Sequence, residues 1–243
     1  GFYSFEDSLK NSVNNSKTAI LRRDWDTKSE PLKFEKNENG QSLYLNGDTY
    51  LDLKEVGVFR KSEPFTIGLW INIPKEMKEG VIFHKSNAER LYNFKGYHVY
   101  LKNNRLEMTM AHTAPSNAIT KLSLTDVPRN QWIQLTMTYD GSSTAKGLNL
   151  FIDGAPLKME TQIDQLYKDI VFFSKDEPGL QIGAWYRGFG MKGGKLDDVS
   201  VYNRALTPFE IKVLAKKTNW DLITKKTSTE LTKEDISVLK EYY

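Results

Sequence analysis

The middle of this chain is a series of short segments in which apolar and polar residues alternate, most of them closed by a tight turn. Residues 65–73 give the clearest example, because five apolar side chains there fall on one face. Alternation with a period of two is typical of a strand that buries one face. Asn-Gly or Asp-Gly pairs at residues 46–47, 140–141 and 153–154 favour tight hairpin turns. The pattern predicts an all-β sandwich or jelly roll.

The composition argues against several classes of protein. The 243 residues include 34 Lys and Arg against 31 Asp and Glu, so the net charge of +3 is too balanced to indicate a nucleic-acid or anionic-membrane partner. No apolar stretch approaches the roughly 18 residues that a membrane-spanning helix requires. The sequence contains no cysteine, which rules out disulfides, thiol catalysis and cysteine-based zinc sites.

Helix signals are concentrated at the end of the chain. Residues 207–210, Thr-Pro-Phe-Glu, combine a capping-box pattern with proline at the first helical position, and they predict a helix over residues 208–217. A similar pattern that begins at Thr232 predicts a second helix over residues 233–243. The Lys- and Thr-rich residues 216–231 between the two helices are expected to be irregular.

Four motifs occur in order along the chain, namely FTIGLWINI, QWIQLTMTYDG, LNLFIDG and LQIGAWYRGFGMKGGKLDDVSVYNRALTPFEI. Together they resemble the laminin-G-like domains of the concanavalin A-like lectin and glucanase superfamily, over about residues 40–215. The resemblance implies a two-sheet antiparallel jelly-roll sandwich over residues 1–215. Residues 216–243 would form a helical extension, packed on the sandwich or leading out of it. Because this fold hosts lectins, adhesion modules and glycosidases alike, it leaves the function open.

The same resemblance gives an expectation about location. The cysteine-free form resembles bacterial members, which usually lie in large secreted or envelope proteins. The final segment LTKEDISVLKEYY also resembles inserts in bacterial multi-domain proteins that carry cytochrome-c-like modules. We therefore expect an extracytoplasmic protein, either periplasmic, on the cell surface or secreted, in which this chain has neighbouring domains as partners.

Two loops rich in aromatic residues are the candidate ligand site. In relatives the corresponding loops, here about residues 84–96 and 184–194, approach each other at the rim of the sandwich. Aromatic faces can stack on the C–H face of a sugar while polar groups bind its hydroxyls. The predicted ligand contacts are Asn87, Arg90, Tyr92, Asn93, Tyr97, Trp185, Tyr186, Arg187 and Phe189. In the alternatives, Trp185 and Phe189 cap the end of the sandwich, or the patch docks on a neighbouring domain.

The carboxylates do not form the pattern that glycoside hydrolysis requires, which is a pair roughly 5–9 Å apart across one sugar. Asp197 and Asp198 are adjacent, so a regular strand would point them to opposite faces. We expect Arg204 to pair with one of them. Glu107 has no carboxylate two residues away. The sequence therefore predicts that the chain is not an enzyme.

Metal sites have weak support. Many relatives bind calcium through oxygen ligands on their rim loops, but the second rim loop here has no Asp or Glu. Asp48 or Asp52, helped by backbone carbonyls, remain weak calcium candidates. His84, His98 and His112 would need to converge to bind zinc, whereas histidines in a sheet are more often satisfied by their neighbours. No other cofactor is expected.

These observations together predict a non-catalytic binding module that recognises carbohydrate within a larger exported bacterial protein. A structural or protein–protein interaction domain is the alternative, and a glycoside hydrolase is a remote one. Exposure of an aromatic cluster would favour ligand binding, whereas burial of that cluster would favour the structural role.

Overall fold

The computed structural model describes residues 1–14, 16–22, 33–37, 40–86, 94–184, 190–218 and 220–242. Within these ranges two antiparallel sheets pack face to face as a sandwich, and short helices follow the last strand. The predicted fold class, an all-β jelly-roll sandwich with short C-terminal helices, is confirmed.

Each sheet draws its strands from distant parts of the chain. The first sheet contains β1 (Phe2–Tyr3), β3 (Phe34–Asn37), β4 (Gly40–Tyr44), β6 (Phe65–Asn72), β11 (Trp132–Tyr139), β12 (Leu148–Ile152), β13 (Ala155–Pro156) and β16 (Lys195–Tyr202). The second sheet contains β2 (Ile20–Arg22), β5 (Tyr50–Asp52), β7 (Glu79–Ser86), β8 (Gly96–Lys102), β9 (Arg105–Thr113), β10 (Asn117–Ser123), β14 (Met159–Asp164) and β15 (Gln181–Ile182). In the first sheet β6 lies between β11 and β16, so these three strands form its centre.

The core lies between the two sheets, and β6 shows how the sequence builds it. Its alternate residues Phe65, Ile67, Leu69 and Ile71 are fully buried, as the period-two pattern predicts. Each such side chain contributes about 1.5–3 kcal/mol when it leaves water. The intervening residues point to the outer face of the sheet, which is where the candidate functional site lies.

A bulge interrupts the pairing of β16 with β6. Residues 198–199 of β16 lie opposite the single residue Leu69 of β6, and Asp198 adopts a φ of 46°. A bulge adds one residue to a strand and breaks the alternation of its side chains. Asp197 and Asp198 therefore line the same groove on the outer face, so the prediction that they point to opposite faces is wrong.

The first helix, α1 (Pro208–Leu214), begins as predicted and ends three residues early. The Thr207 hydroxyl accepts a hydrogen bond from the backbone N–H of Glu210, and the Glu210 carboxylate accepts one from the backbone N–H of Thr207 at 2.9 Å. Arg204 donates two hydrogen bonds to the same carboxylate, at 2.8 and 2.6 Å. Arg204 thus pairs with the helix cap rather than with the aspartates of β16.

Helix α1 covers one part of the outer face of the first sheet. A Cβ atom added at Gly68 would lie 2.6 Å from Cδ2 of Leu214, so the helix lies almost directly on the strand. The outward-facing polar residues Gln134, Thr136 and Ser200 are buried as well. Beyond the end of α1, the outward-facing residues Trp70 and Asp197 are partly exposed.

The tail contains two further helices. The second, α2 (Trp220–Ile223), lies in a segment that the sequence predicts to be irregular. The third, α3 (Lys233–Tyr242), begins where it is predicted, because the Thr232 hydroxyl accepts a hydrogen bond from the backbone N–H of Asp235 at 3.1 Å. No helix in the described part of the chain has the length and apolar character to cross a bilayer.

The cap of α1 gives a pH-dependent prediction for Glu210→Gln. Hydrogen bonds from Arg204, with lesser help from Thr207, lower the pKa of Glu210 from 4.5 to about 2. A carboxylate with a lowered pKa stabilises the fold above its ordinary pKa, and that stability is lost as the pH falls toward the folded-state value. Glu210→Gln should cost about 1 kcal/mol at neutral pH and almost nothing near pH 2, as measured by urea unfolding.

The matched control for this prediction is Glu160→Gln, which removes an exposed carboxylate from β14. It should show no comparable loss at neutral pH. An equal effect of Glu210→Gln at both ends of the pH range would contradict the electrostatic account of the cap.

Candidate functional site

An open groove lies on the outer face of the first sheet, beyond the end of α1. Its volume is about 460 Å³, within the usual range of small-molecule sites. We call it the tryptophan groove, and its lining residues are Glu6, Lys36, Asn37, Trp70, Trp132, Lys195, Asp197, Asp198 and Lys216.

Two tryptophans form the apolar part of the groove. In the register of β6 with β11, Trp132 lies opposite Asn72 and Trp70 lies opposite Gln134. The two indoles are therefore diagonal neighbours on one face, with Cα atoms about 7–8 Å apart. Both are partly exposed. Sequence analysis missed both tryptophans. The one signal available was the period-two alternation of β6, which turns Trp70 away from the core.

Asp197 forms the polar wall beside the tryptophans. Its Oδ2 accepts a hydrogen bond from Nδ2 of Asn37 at 3.2 Å, and its Oδ1 accepts one from the backbone N–H of Asp198 at 2.8 Å. Burial and then the negative charge of Asp198 raise the pKa of Asp197 to about 6, with a smaller contribution from Glu6. The two hydrogen bonds only partly oppose this rise.

Lys216, just after the end of α1, brings a positive charge into the groove. Its ammonium lies 5.6 Å from the centre of a Trp70 ring and 3.5 Å from Oδ2 of Asp198. An ammonium at this distance from an indole makes a favourable cation–π interaction. Another lysine that lines the groove, Lys195, forms an ion pair with Glu35, with 2.8 Å between Nζ and Oε2.

Eight of the nine predicted rim contacts lie outside the described residues, namely Asn87, Arg90, Tyr92, Asn93, Trp185, Tyr186, Arg187 and Phe189. The ninth predicted contact, Tyr97, is described, and its ring is fully buried against Phe65 at a centroid distance of 5.1 Å.

The assignment of Tyr97 as a ligand contact is therefore corrected. Tyr97 lies on β8 with the same parity as the core residues Val99 and Leu101, so its side chain points between the sheets. Its hydroxyl donates a hydrogen bond to the backbone carbonyl of Gly57, and burial raises its pKa well above the usual value. A side chain in this position supports the core and does not reach a surface ligand.

The two calcium candidates differ in their contacts, and only the carboxylate of Asp52 is shown engaged by neighbouring groups. The carboxylate of Asp52 accepts hydrogen bonds from Nε of Arg22 at 2.6 Å and from the backbone N–H of Lys54 at 2.7 Å. The backbone N–H of Asp48 donates to Oδ1 of Asn46 at 3.0 Å, which stabilises the turn. Among the residues that the structure describes, no three His, Asp or Glu side chains are grouped to hold a metal ion.

The histidines make structural contacts. His84 lies opposite His98 in the pairing of β7 with β8, and both are buried. The His84 ring nitrogens contact Oγ of Ser86 at 2.9 Å and the carbonyl of Ala184 at 3.2 Å, while burial lowers its pKa to about 3. His112 instead contacts the carbonyl of Asp169 through Nδ1 at 2.6 Å.

Comparison with protein families gives one match over most of the chain. Residues 45–212 match the laminin G family described as "Concanavalin A-like lectin/glucanases superfamily". The comparison with curated proteins returned no match.

Solved structures share the fold at low sequence identity. Domain 4 of the extracellular arabinanase AbnA from Geobacillus stearothermophilus, solved with arabinotriose, has a TM-score of 0.65 and 19% identity over 88% of this chain and 96% of that one. The binding domain of Paraclostridial Mosquitocidal Protein 1 has a TM-score of 0.64 and 19% identity over 89% and 51%. The binding domain of botulinum neurotoxin serotype G has a TM-score of 0.57 and 16% identity over 86% and 47%. The chain thus spans almost all of the arabinanase domain but about half of each of the other two binding domains.

The electrostatics of the groove give a second prediction, for the titration of Asp197. Carbon-detected NMR of the side-chain carboxyl should give a pKa near 6. Asp198→Asn should lower this pKa clearly, because it removes the nearest negative charge. Glu6→Gln should lower it less, since Glu6 contributes less to the shift. A pKa near the ordinary value of about 4 in the unmodified protein would contradict the described geometry.

Proposed function

The chain belongs to the concanavalin A-like lectin and glucanase superfamily, and from that premise we propose that it is a non-catalytic carbohydrate-binding module whose ligand lies in the tryptophan groove. The observation that carries the proposal is the pair of outward-facing tryptophans, Trp70 and Trp132, beside the hydrogen-bonding wall of Asp197 and Asn37.

The groove has the chemistry that a sugar ring requires. A pyranose or furanose presents C–H groups on its faces and hydroxyl groups around its rim. The indoles of Trp70 and Trp132 offer apolar surface for the faces. Asp197 accepts hydrogen bonds from hydroxyls, and the side chain of Asn37 holds this carboxylate in place at 3.2 Å.

The placement of the carboxylates favours binding over hydrolysis. Glycosidases use two carboxyl groups that flank the scissile bond, roughly 5–9 Å apart with the sugar between them. Asp197 and Asp198 are consecutive residues of β16, so they do not flank a bound sugar from opposite sides. The third carboxylate that lines the groove, Glu6, already accepts a hydrogen bond from the backbone N–H of Gln41 at 3.3 Å. A lysine, Lys216, is already paired with Asp198. We infer that the groove holds a glycan without cleaving it.

The similar structures support this reading. The arabinanase domain was solved with arabinotriose, and its fold matches this chain along almost its whole length. The two toxin domains are likewise binding domains. By analogy with a domain of an extracellular enzyme, we propose that this chain acts beside other domains of a larger exported bacterial protein. The rim-loop residues outside the described ranges remain a second proposed contact region.

An interaction module is the second candidate function. The loop between β14 and β15 exposes 70% of Tyr167 and 68% of Phe173. Phe173 adopts a φ of 56°, and its backbone N–H is held by Glu177 at 2.9 Å. Two exposed aromatic side chains on a loop that a hydrogen bond stabilises are suited to contact a neighbouring domain or protein.

The third prediction tests the groove with Trp132→Ala. A panel of bacterial and plant polysaccharides is screened by affinity electrophoresis, and hits are measured by isothermal titration calorimetry. Loss of the indole face should weaken binding by about tenfold or more, equivalent to about 1.4 kcal/mol. Tyr167→Ala is the matched control, because it also deletes an exposed aromatic ring but lies outside the groove.

Two other outcomes would change the location of the proposed site or the proposed function. Loss of binding in Trp185→Ala, with Trp132→Ala unaffected, would move the site to the rim loops. A panel in which no glycan binds the unmodified protein would reject the carbohydrate proposal and favour the interaction module. Melting curves of each variant establish that the fold is intact before binding is compared.

A further inference from the structure

A positively charged side chain of this protein, Lys216, lies in the tryptophan groove. The Lys216 ammonium lies 5.6 Å from a ring centre of Trp70 and 3.5 Å from a carboxylate oxygen of Asp198. An aromatic face combined with a carboxylate is the arrangement that recognises organic ammonium groups. The Lys216 side chain is 63% exposed, so it can leave this position at little cost.

The charged residues that line the groove are balanced in number, so their pairing decides which ligand charge the groove favours. Asp197, Asp198 and Glu6 contribute negative charge, and Lys36, Lys195 and Lys216 contribute positive charge. Lys195 is neutralised by Glu35 at 2.8 Å.

Asp197 forms no ion pair with any residue in the described ranges, and the charges that act on it from Asp198 and Glu6 are both negative. Within the described residues, therefore, no cation pairs with Asp197, whereas Lys216 pairs with its neighbour Asp198. A ligand that supplied a positive charge there would relieve the repulsion between Asp197 and Asp198.

We propose that the tryptophan groove selects glycans that carry a free, protonated amino group over neutral glycans of the same backbone. This inference rests on the proposed carbohydrate-binding function and specifies its substrate class. The ammonium of the glycan would replace that of Lys216 beside Trp70 and Asp198, and its charge would also act on Asp197. The apolar face of the sugar would then lie on Trp132, whose ring faces the same groove.

Three oligosaccharides of equal length test the proposal. Each has a β-1,4-linked glucose backbone, and they differ only at C2, which carries an amine, an N-acetyl group or a hydroxyl. Titration calorimetry at low salt should show that the amine form binds about tenfold more tightly than either neutral form. High salt should reduce this preference, because it screens the charges that produce it.

Variants assign the preference to the groove. Asp197→Asn and Asp198→Asn should each bring the three affinities together, since the shape is kept and the charge is lost. Lys216→Gln should strengthen binding of the amine form, because the competing ammonium is removed. Lys217→Gln is the matched control, as it removes the same charge from the next residue, which does not line the groove.

The outcomes separate this inference from the function on which it rests. Equal binding of the three oligosaccharides, or tighter binding of a neutral one, overturns the amine preference and keeps the glycan-binding module. Binding of other polysaccharides but of none of these three also overturns the preference as stated. An amine preference that survives Asp197→Asn and Asp198→Asn overturns the assignment to this groove. If the wider polysaccharide panel yields no ligand, the proposed function itself fails.

Discussion

The pairing of β6 with β16 at the centre of the first sheet is the constraint on which both the core and the groove depend. On its inner side the pair supplies apolar residues that meet the second sheet. On its outer side it places Trp70 opposite Asp197, so an aromatic face and a carboxylate become neighbours. The bulge at residues 198–199 then adds a second carboxylate to the same wall. A regular strand would have pointed Asp198 inward, toward an apolar core.

Helix α1 determines how much of this outer face is available. Its capping box at Thr207 and Glu210 starts the helix a few residues after β16, and the side chain of Leu214 packs against Gly68. The polar residues beneath the helix are therefore buried, whereas those beyond its end remain accessible. Lys216 follows the helix and places its ammonium over Trp70. The helix thus limits the groove, and the segment that follows it supplies the cation that lies in the groove.

Much of the fold could be predicted from the sequence, because it follows from local patterns. The alternation in residues 65–73 and the cap at Thr207 have direct physical causes, and both are observed. The groove could not be predicted in this way. Its residues come together only through the register of distant strands and through a bulge that no local pattern marks. Tyr97 was misassigned for the related reason that proximity to a loop in sequence does not give the direction of a side chain in a strand.

A nitrogen–proton NMR titration with a glycan ligand tests most directly whether the ligand binds in the tryptophan groove, because it follows the indole N–H signal of each tryptophan. The chain has five tryptophans, Trp25, Trp70, Trp132, Trp185 and Trp220, and each carries one indole N–H group. Binding in the tryptophan groove predicts that the Trp70 and Trp132 signals move together and saturate at the same ligand concentration. A titration in which both signals stay fixed while another tryptophan signal moves would contradict the assignment of the ligand to this groove.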